Sequence, residues 1–194
     1  MKPFRKRRRG GLTATFEIGE AHLLASLAGQ VVELLRDRNG AEESDADPLA
    51  AQLGMGGPSL PPEDPVLQRL LPDAYRDDPD DAGEFRRFTE RSLTSAKVQN
   101  AETLIGSLVD GGLSFGEVPD EDGDPVEVEL DPDEVQAWLR SLTDVRLSLA
   151  VRLGIETDED TMLVASSQDE AISAMSDIFE WLGYVQETLV SAID

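Results

Sequence analysis

Apolar and polar positions alternate near the start of the chain. In "LTATFEI", Leu12, Ala14, Phe16 and Ile18 take every second place, the period of a half-buried strand. The period then lengthens: Leu23, Leu24, Leu27, Val31, Leu34 and Leu35 recur at helical spacing and predict a helix from about Glu20 to Asp37. "RNGAEESDAD" interrupts it, and residues 38–65, rich in Gly, Pro and acid, are expected to form a mobile loop. A short apolar piece comes next at Val66, Leu67, Leu70 and Leu71, closed by Pro72. Then comes a long helical pattern whose start carries the acids of "RDDPDDAGEF", suited to the positive end of the helix dipole. Its apolar stripe reads Phe85, Phe88, Leu93, Ala96, Leu104, Ile105, Leu108 and Val109, and "DGG" at 110–112 ends it.

Two further strands, "LSFGEV" and "VEVEL", read as a hairpin around the acidic loop "PDEDGDP". Asp131, Pro132 and Glu134 then supply an N-cap, a proline at the first helical position and an acid at the third. The helix they open carries Val135, Trp138, Leu139, Leu142, Val145 and Leu149 and closes at Gly154. "IETDEDTMLVASS" reads as a loop, and a last helix carries Ile172, Met175, Phe179, Leu182, Val185, Leu189 and Ile193. The expected fold is α+β and mainly helical, with about four sizeable helices packed on a small antiparallel sheet of about three strands. One domain over 12–194 is expected, preceded by a flexible basic arm at 1–11.

Charge sharpens that division. The arm holds Lys2, Arg5, Lys6, Arg7, Arg8 and Arg9; the remaining residues carry 11 basic against 40 acidic side chains, a net of −29. Six clustered cations suit phosphates or an acidic protein surface. An acidic body instead repels DNA and anionic lipid. The basic start does not lead into the uninterrupted apolar run of an export signal, because Glu17, Glu20 and Glu33 break it. A soluble, cytoplasmic protein is the expectation. There are no cysteines, which removes disulfides, thiolate metal sites and thiol switches from the chain.

"LLPDAYRDD", "AWLRSLTDVRLSLAVRLG" and "EWLGYVQETLV", in that order, resemble an actinobacterial family, the AosR-type oxidative-stress transcriptional regulators, over about Thr13 to Ile193. The resemblance implies a cytoplasmic, non-enzymatic regulator that works with RNA polymerase or a sigma factor. It also implies a redox role through cysteines, from which this chain departs because it has none.

Catalytic and cofactor motifs do not emerge. There is no G-x-S-x-G and no phosphate-binding glycine loop, and the lone His22 excludes a zinc site of nitrogen and sulfur ligands. Asp120, Asp122 and Asp124 imitate the start of a calcium loop, but Gly123 and Pro125 stand where that motif wants other residues, and Asp131 replaces its bidentate Glu. No cofactor, metal or catalytic residue is expected. Arg146 lies on an apolar stripe between Leu142 and Leu149, so it needs a partner, with Glu180 or Glu187 as candidates for a buried ion pair. Trp181 and Tyr184 are either core or interface anchors, and with Val190 they leave room for a homodimer through the last helix. Two readings stay open: a transcription regulator acting by protein contact, and an acidic DNA mimic that blocks a nucleic-acid-binding protein.

Overall fold

The computed structural model describes residues 1–8, 10–43, 57–116 and 123–193. Among these, three strands and six helices are arranged in the order β1 (Lys2–Lys6), β2 (Leu12–Phe16), α1 (Ile18–Glu43), α2 (Pro65–Leu70), α3 (Pro79–Asp110), β3 (Val126–Leu130), α4 (Pro132–Leu153), α5 (Asp158–Ala165) and α6 (Glu170–Ile193). The long helices α1, α3, α4 and α6 carry the fold, as the apolar periods predict. The sheet is antiparallel with order β1-β2-β3, and β2 pairs with β3 from Leu12↔Leu130 to Phe16↔Val126.

The basic arm is a strand, which corrects its expected flexibility. Arg7 and Gly11 close a turn (Arg7 N to Gly11 O, 3.1 Å), with Gly10 and Gly11 both at positive φ. A side chain at Gly11 would lie 2.3 Å from the Leu130 carbonyl oxygen, so the chain can pass there only as glycine. β1 then runs back along β2 and inserts Phe4, only 6% exposed, into the core. There Phe4, Phe16 and the fully buried Trp138 form a triangle of rings with centroids 5.6–6.1 Å apart. The Trp138 indole donates to Ser107 Oγ at 2.8 Å, so α4 is held to both the sheet and α3.

The third strand is β1 and not "LSFGEV". Leu113 is buried directly after α3, Phe115 is exposed, and Gly112 and Gly116 turn the chain at positive φ; residues 117–118 lie outside the described residues. With β1 and β3 flanking it, β2 has no free edge for another strand. Helix α1 also runs past its expected stop. Arg38 lies within it and donates to Glu90 Oε1 at 2.8 Å and to the Leu60 carbonyl at 2.7 Å, holding the helix end against α3 and the segment around Leu60. Of the expected 38–65 loop, 38–43 is therefore helix, 57–64 runs along α3, and 44–56 lies outside the described residues. Residues 158–165, expected as loop, form α5 behind a Thr157–Asp160 capping box. Capping at α4 uses the predicted Asp131–Glu134 box, and Gly154 closes that helix in the left-handed conformation. By length and composition, 18–39 is apolar enough to cross a membrane; here it buries Ala21, Leu24, Ala28, Val31 and Leu35 in the core.

The largest correction concerns α3. Its second half buries Leu104 and Leu108 as expected, together with Ala101, and leaves Val109 exposed, but its first half buries Ala82, Arg86, Glu90 and Thr94. Phe85 (45%), Phe88 (53%) and Leu93 (42%) face outward instead. The segments against this half offer backbone rather than apolar surface: Ser59 O lies beside Gly83, Arg87 O beside Gly57, and the Leu71 carbonyl accepts from Arg86. Arg86 also pairs with Glu90 and with Asp73 (2.6 Å), and Glu90 receives Arg38 from α1. Burial lowers the Arg86 pKa, but hydrogen bonds and charge from Asp73 and Glu90 outweigh it and leave the group raised. Further along, Lys97 Nζ meets the buried Asp144 of α4 at 2.6 Å.

This packing makes three outcomes measurable. Phe4→Ala should cost about 3–5 kcal/mol in urea denaturation, whereas a free arm would leave stability unchanged. Glu90→Ala should cost about 3–5 kcal/mol by the same measurement, since it strands Arg86 in the interior. Asp144 responds to pH with the opposite sign to an ordinary paired carboxylate, because burial raises its pKa more than Lys97 lowers it. As pH rises from the usual carboxylate value, roughly 4, the unfolded chain releases this proton before the folded one, and the group's contribution falls until its raised pKa is passed. Wild-type stability minus that of Asp144→Asn should therefore decrease across that window in denaturation at stepped pH; an increase would mean that Lys97 dominates.

Candidate functional site

The sheet has one face in the core and one in solvent, and the alternation of β3 decides which residues go where: Val126, Val128 and Leu130 in, Glu127 and Glu129 out. On β1 the core side takes Phe4, leaving Lys2, Arg5 and Lys6 exposed. Arg7 crosses the sheet to Glu129 at 2.7 Å. Lys2, Arg5, Lys6 and Arg8 make no ion pair among the described residues, in a chain with 40 carboxylates. Arg9 lies outside the described residues. The result is a short positive strip fixed on the edge of an acidic body.

That edge is built to resist strand addition. It is five residues long, carries Pro3 without an N–H, breaks register between Lys2 and Arg5, and displays lysines. Each of these blunts an open sheet edge. What the strip offers a partner is therefore side-chain charge rather than backbone pairing. Below it, a groove of about 640 Å³ separates β1 from α6, lined by Phe4, Arg5, Lys6, Tyr184, Glu187 and Ser191 among others. Tyr184 is exposed at this groove. Trp181 instead packs partly buried against the core, its indole nitrogen without a hydrogen-bond partner.

Arg146 is anchored, but not by a carboxylate. It donates to Gln186 Oε1 at 2.7 Å and lies 5.1 Å over the Phe179 ring, while Gln186 donates to Thr143 Oγ1 at 2.9 Å. Glu180 and Glu187 are exposed and make no ion pair with it. The reason is helical phase: Phe179 and Gln186 are two turns apart on the face of α6 toward α4, and each glutamate stands one residue, about 100°, further round. The guanidinium is held by an amide and a ring face rather than by a second buried charge, and its buried Nε has no hydrogen-bond partner.

His22 meets Phe115 edge-on at 6.3 Å. Asp131, the last position of the calcium-like pattern, already accepts from Asp133 N and Glu134 N as a helix cap. Asp120 and Asp122 lie outside the described residues, and no metal-holding group of carboxylates and histidine occurs among those described. Sequence reasoning missed the Arg38–Glu90–Arg86–Asp73 network. Its one local signal was the four-residue spacing of Ala82, Arg86, Glu90 and Thr94, masked by the more apolar row beside it.

With the geometry in place, three comparisons add their findings. The family model described as "Domain of unknown function (DUF2017)" matches residues 1–193. A Mycobacterium tuberculosis protein named "Oxidative stress regulator AosR" is 34% identical over 180 residues, 88% of this chain and 77% of its own length. The Mycobacterium leprae "Putative oxidative stress regulator AosR" is 30% identical over 188 residues, 90% of this chain and 78% of its own. No solved structure matches the chain. The resemblance read from "LLPDAYRDD" and its companion segments is thus borne out, and the chain belongs to the DUF2017 family together with these AosR relatives.

Proposed function

We propose that this chain is a non-enzymatic, cytoplasmic regulatory protein of the oxidative-stress response that acts on transcription by contacting RNA polymerase or a sigma factor. Near-full-length similarity to proteins named oxidative stress regulators supports the regulatory part. The geometric observation that carries the contact reading is the fixed strip of Lys2, Arg5 and Lys6 on a chain of net charge −23. Opposite charges held rigidly on one body suit a protein recruited to a polymerase–DNA complex. The acidic surface meets basic protein, and the strip adds salt-sensitive contacts to nearby phosphates. Thiol chemistry is closed to a chain without cysteine, so in this reading the oxidant signal arrives through the partner.

The test is an affinity pull-down from native lysate, with and without nuclease, read by mass spectrometry. Polymerase or sigma subunits should persist after nuclease treatment. Lys2→Ala, Arg5→Ala and Lys6→Ala combined should weaken only the nuclease-sensitive fraction, since all three side chains are exposed. Absence of these subunits from both samples would remove the transcriptional reading. Competition between DNA and this chain for the captured protein would favour the DNA-mimic reading instead.

A further inference from the structure

The first half of α3 is inside out. Charged Arg86 and Glu90 are 5% and 3% exposed, while Phe85 and Phe88 are about half exposed on the opposite side of the same turns. The charges of Arg86 and Glu90 are paired with each other, Asp73 and Arg38, although Arg86 Nε and Thr94 Oγ1 on the same side have no hydrogen-bond partner. The apolar side is left open: aromatic rings carry the largest apolar area of any side chains, and a single helix showing two of them to water has not buried its hydrophobic face. The patch also continues beyond the helix. Tyr75 meets Phe85 edge-on at 5.9 Å, and a groove of about 420 Å³ beside Phe85 and Leu93 adjoins one of about 450 Å³ that shares Leu93 and Ala96.

We propose that this face of α3 is a two-fold interface with a second copy of the chain, the two α3 helices running antiparallel across Phe85 and Phe88. Charge complementarity selects that occupant. The acids Asp80, Asp81 and Glu84 precede the aromatic pair, exposed Arg87 lies between its two members, and Arg91 comes after it. Glu84 and Arg91 are seven residues apart, two turns, and so share one flank of the helix. Neither makes an ion pair among the described residues. A two-fold axis crossing the helix near residues 86–88 lays each Phe85 against the other copy's Phe88. The same axis lays Glu84 opposite Thr89 of the second copy, two residues or about 3 Å of helix from its Arg91, a distance the two long side chains span, twice over.

A helix with acid on one side of an apolar centre and base on the other, on the same flank, is complementary to itself reversed, which is what an isologous contact requires. A partner of another kind would not need this arrangement. Self-association of a chain with net charge −23 is opposed over most of its surface. Beside the aromatic pair, however, stand Arg87 and Arg91, which make no ion pair among the described residues. The interface differs from the α6 surface and is independent of the transcriptional reading.

Sedimentation velocity on the full chain, taken through micromolar concentrations, tests it. The wild type should reach a dimer, and Phe85→Ala with Phe88→Ala should sediment as a monomer with an unchanged circular dichroism spectrum. Arg91→Glu alone and Glu84→Arg alone should each weaken association about tenfold or more, and the two together should restore it, because the pair is merely reversed. That rescue separates an interface from a role in folding. A wild type that stays monomeric throughout, a dimer indifferent to the Phe85 and Phe88 changes, or a double reversal no better than either single one would each overturn the proposal.

Discussion

The ring triangle of Phe4, Phe16 and Trp138 is the contact on which the rest of the arrangement depends. Trp138 comes from the helix that touches α1, α2, α3, α6 and the sheet, Phe16 from the central strand, and Phe4 from the edge. Burying Phe4 and pairing β1 with β2 fix the strand in place, with Arg5 opposite Thr13, Lys6 opposite Leu12 and a register break between Lys2 and Arg5. Lys2, Arg5 and Lys6 are exposed at defined positions, and Arg5 and Lys6 line the α6 groove that holds Tyr184. A tail of the same composition would hold the same charge without any defined geometry.

The inverted half of α3 arises from a second constraint, the need to attach backbone-rich segments. Residues 57–60 and 71–73 offer carbonyls where a helix would offer side chains, and only a donor such as Arg86 or Arg38 can use them. Glu90 then neutralises both guanidinium groups at once. A network of this kind contributes little net stability beyond an apolar packing of equal volume, yet it is costly to break in part. It fixes which segment lies where, and its consequence is that the aromatic positions of the same turns face outward.

Much of the helical architecture was legible because its signals are local. Asp131, Pro132 and Glu134 specify a helix start within four residues, and the apolar periods of α1, α4 and α6 need no knowledge of their neighbours. The parts that were not legible depend on distant partners. β1 has a single apolar position among cations, and only pairing with β2 makes it a strand. The burial of α3 could not be ranked from hydrophobicity, since Phe85 outranks Arg86 on any scale while the surroundings choose Arg86. For Arg146 the sequence showed the need for a partner on α6 but not the rotation of that helix, and one residue of phase separates Gln186 from Glu187.

Charge in this molecule is sorted by role rather than spread evenly. Buried Arg86 and half-buried Arg38 organise segments, Lys97 ties two helices, and Arg7 ties the turn after β1 to β3, all through carboxylates of the chain itself. Cations left outside such pairs stand closest together on β1, and Arg91 adds one beside the exposed aromatics of α3. In a body with 40 acidic side chains these cations form no ion pair, although Glu187 lines the same groove as Arg5 and Lys6. On β1 they are held by a paired strand, and Arg91 is held by a helix flank, so the positions of these charges are set by the same backbone that builds the core.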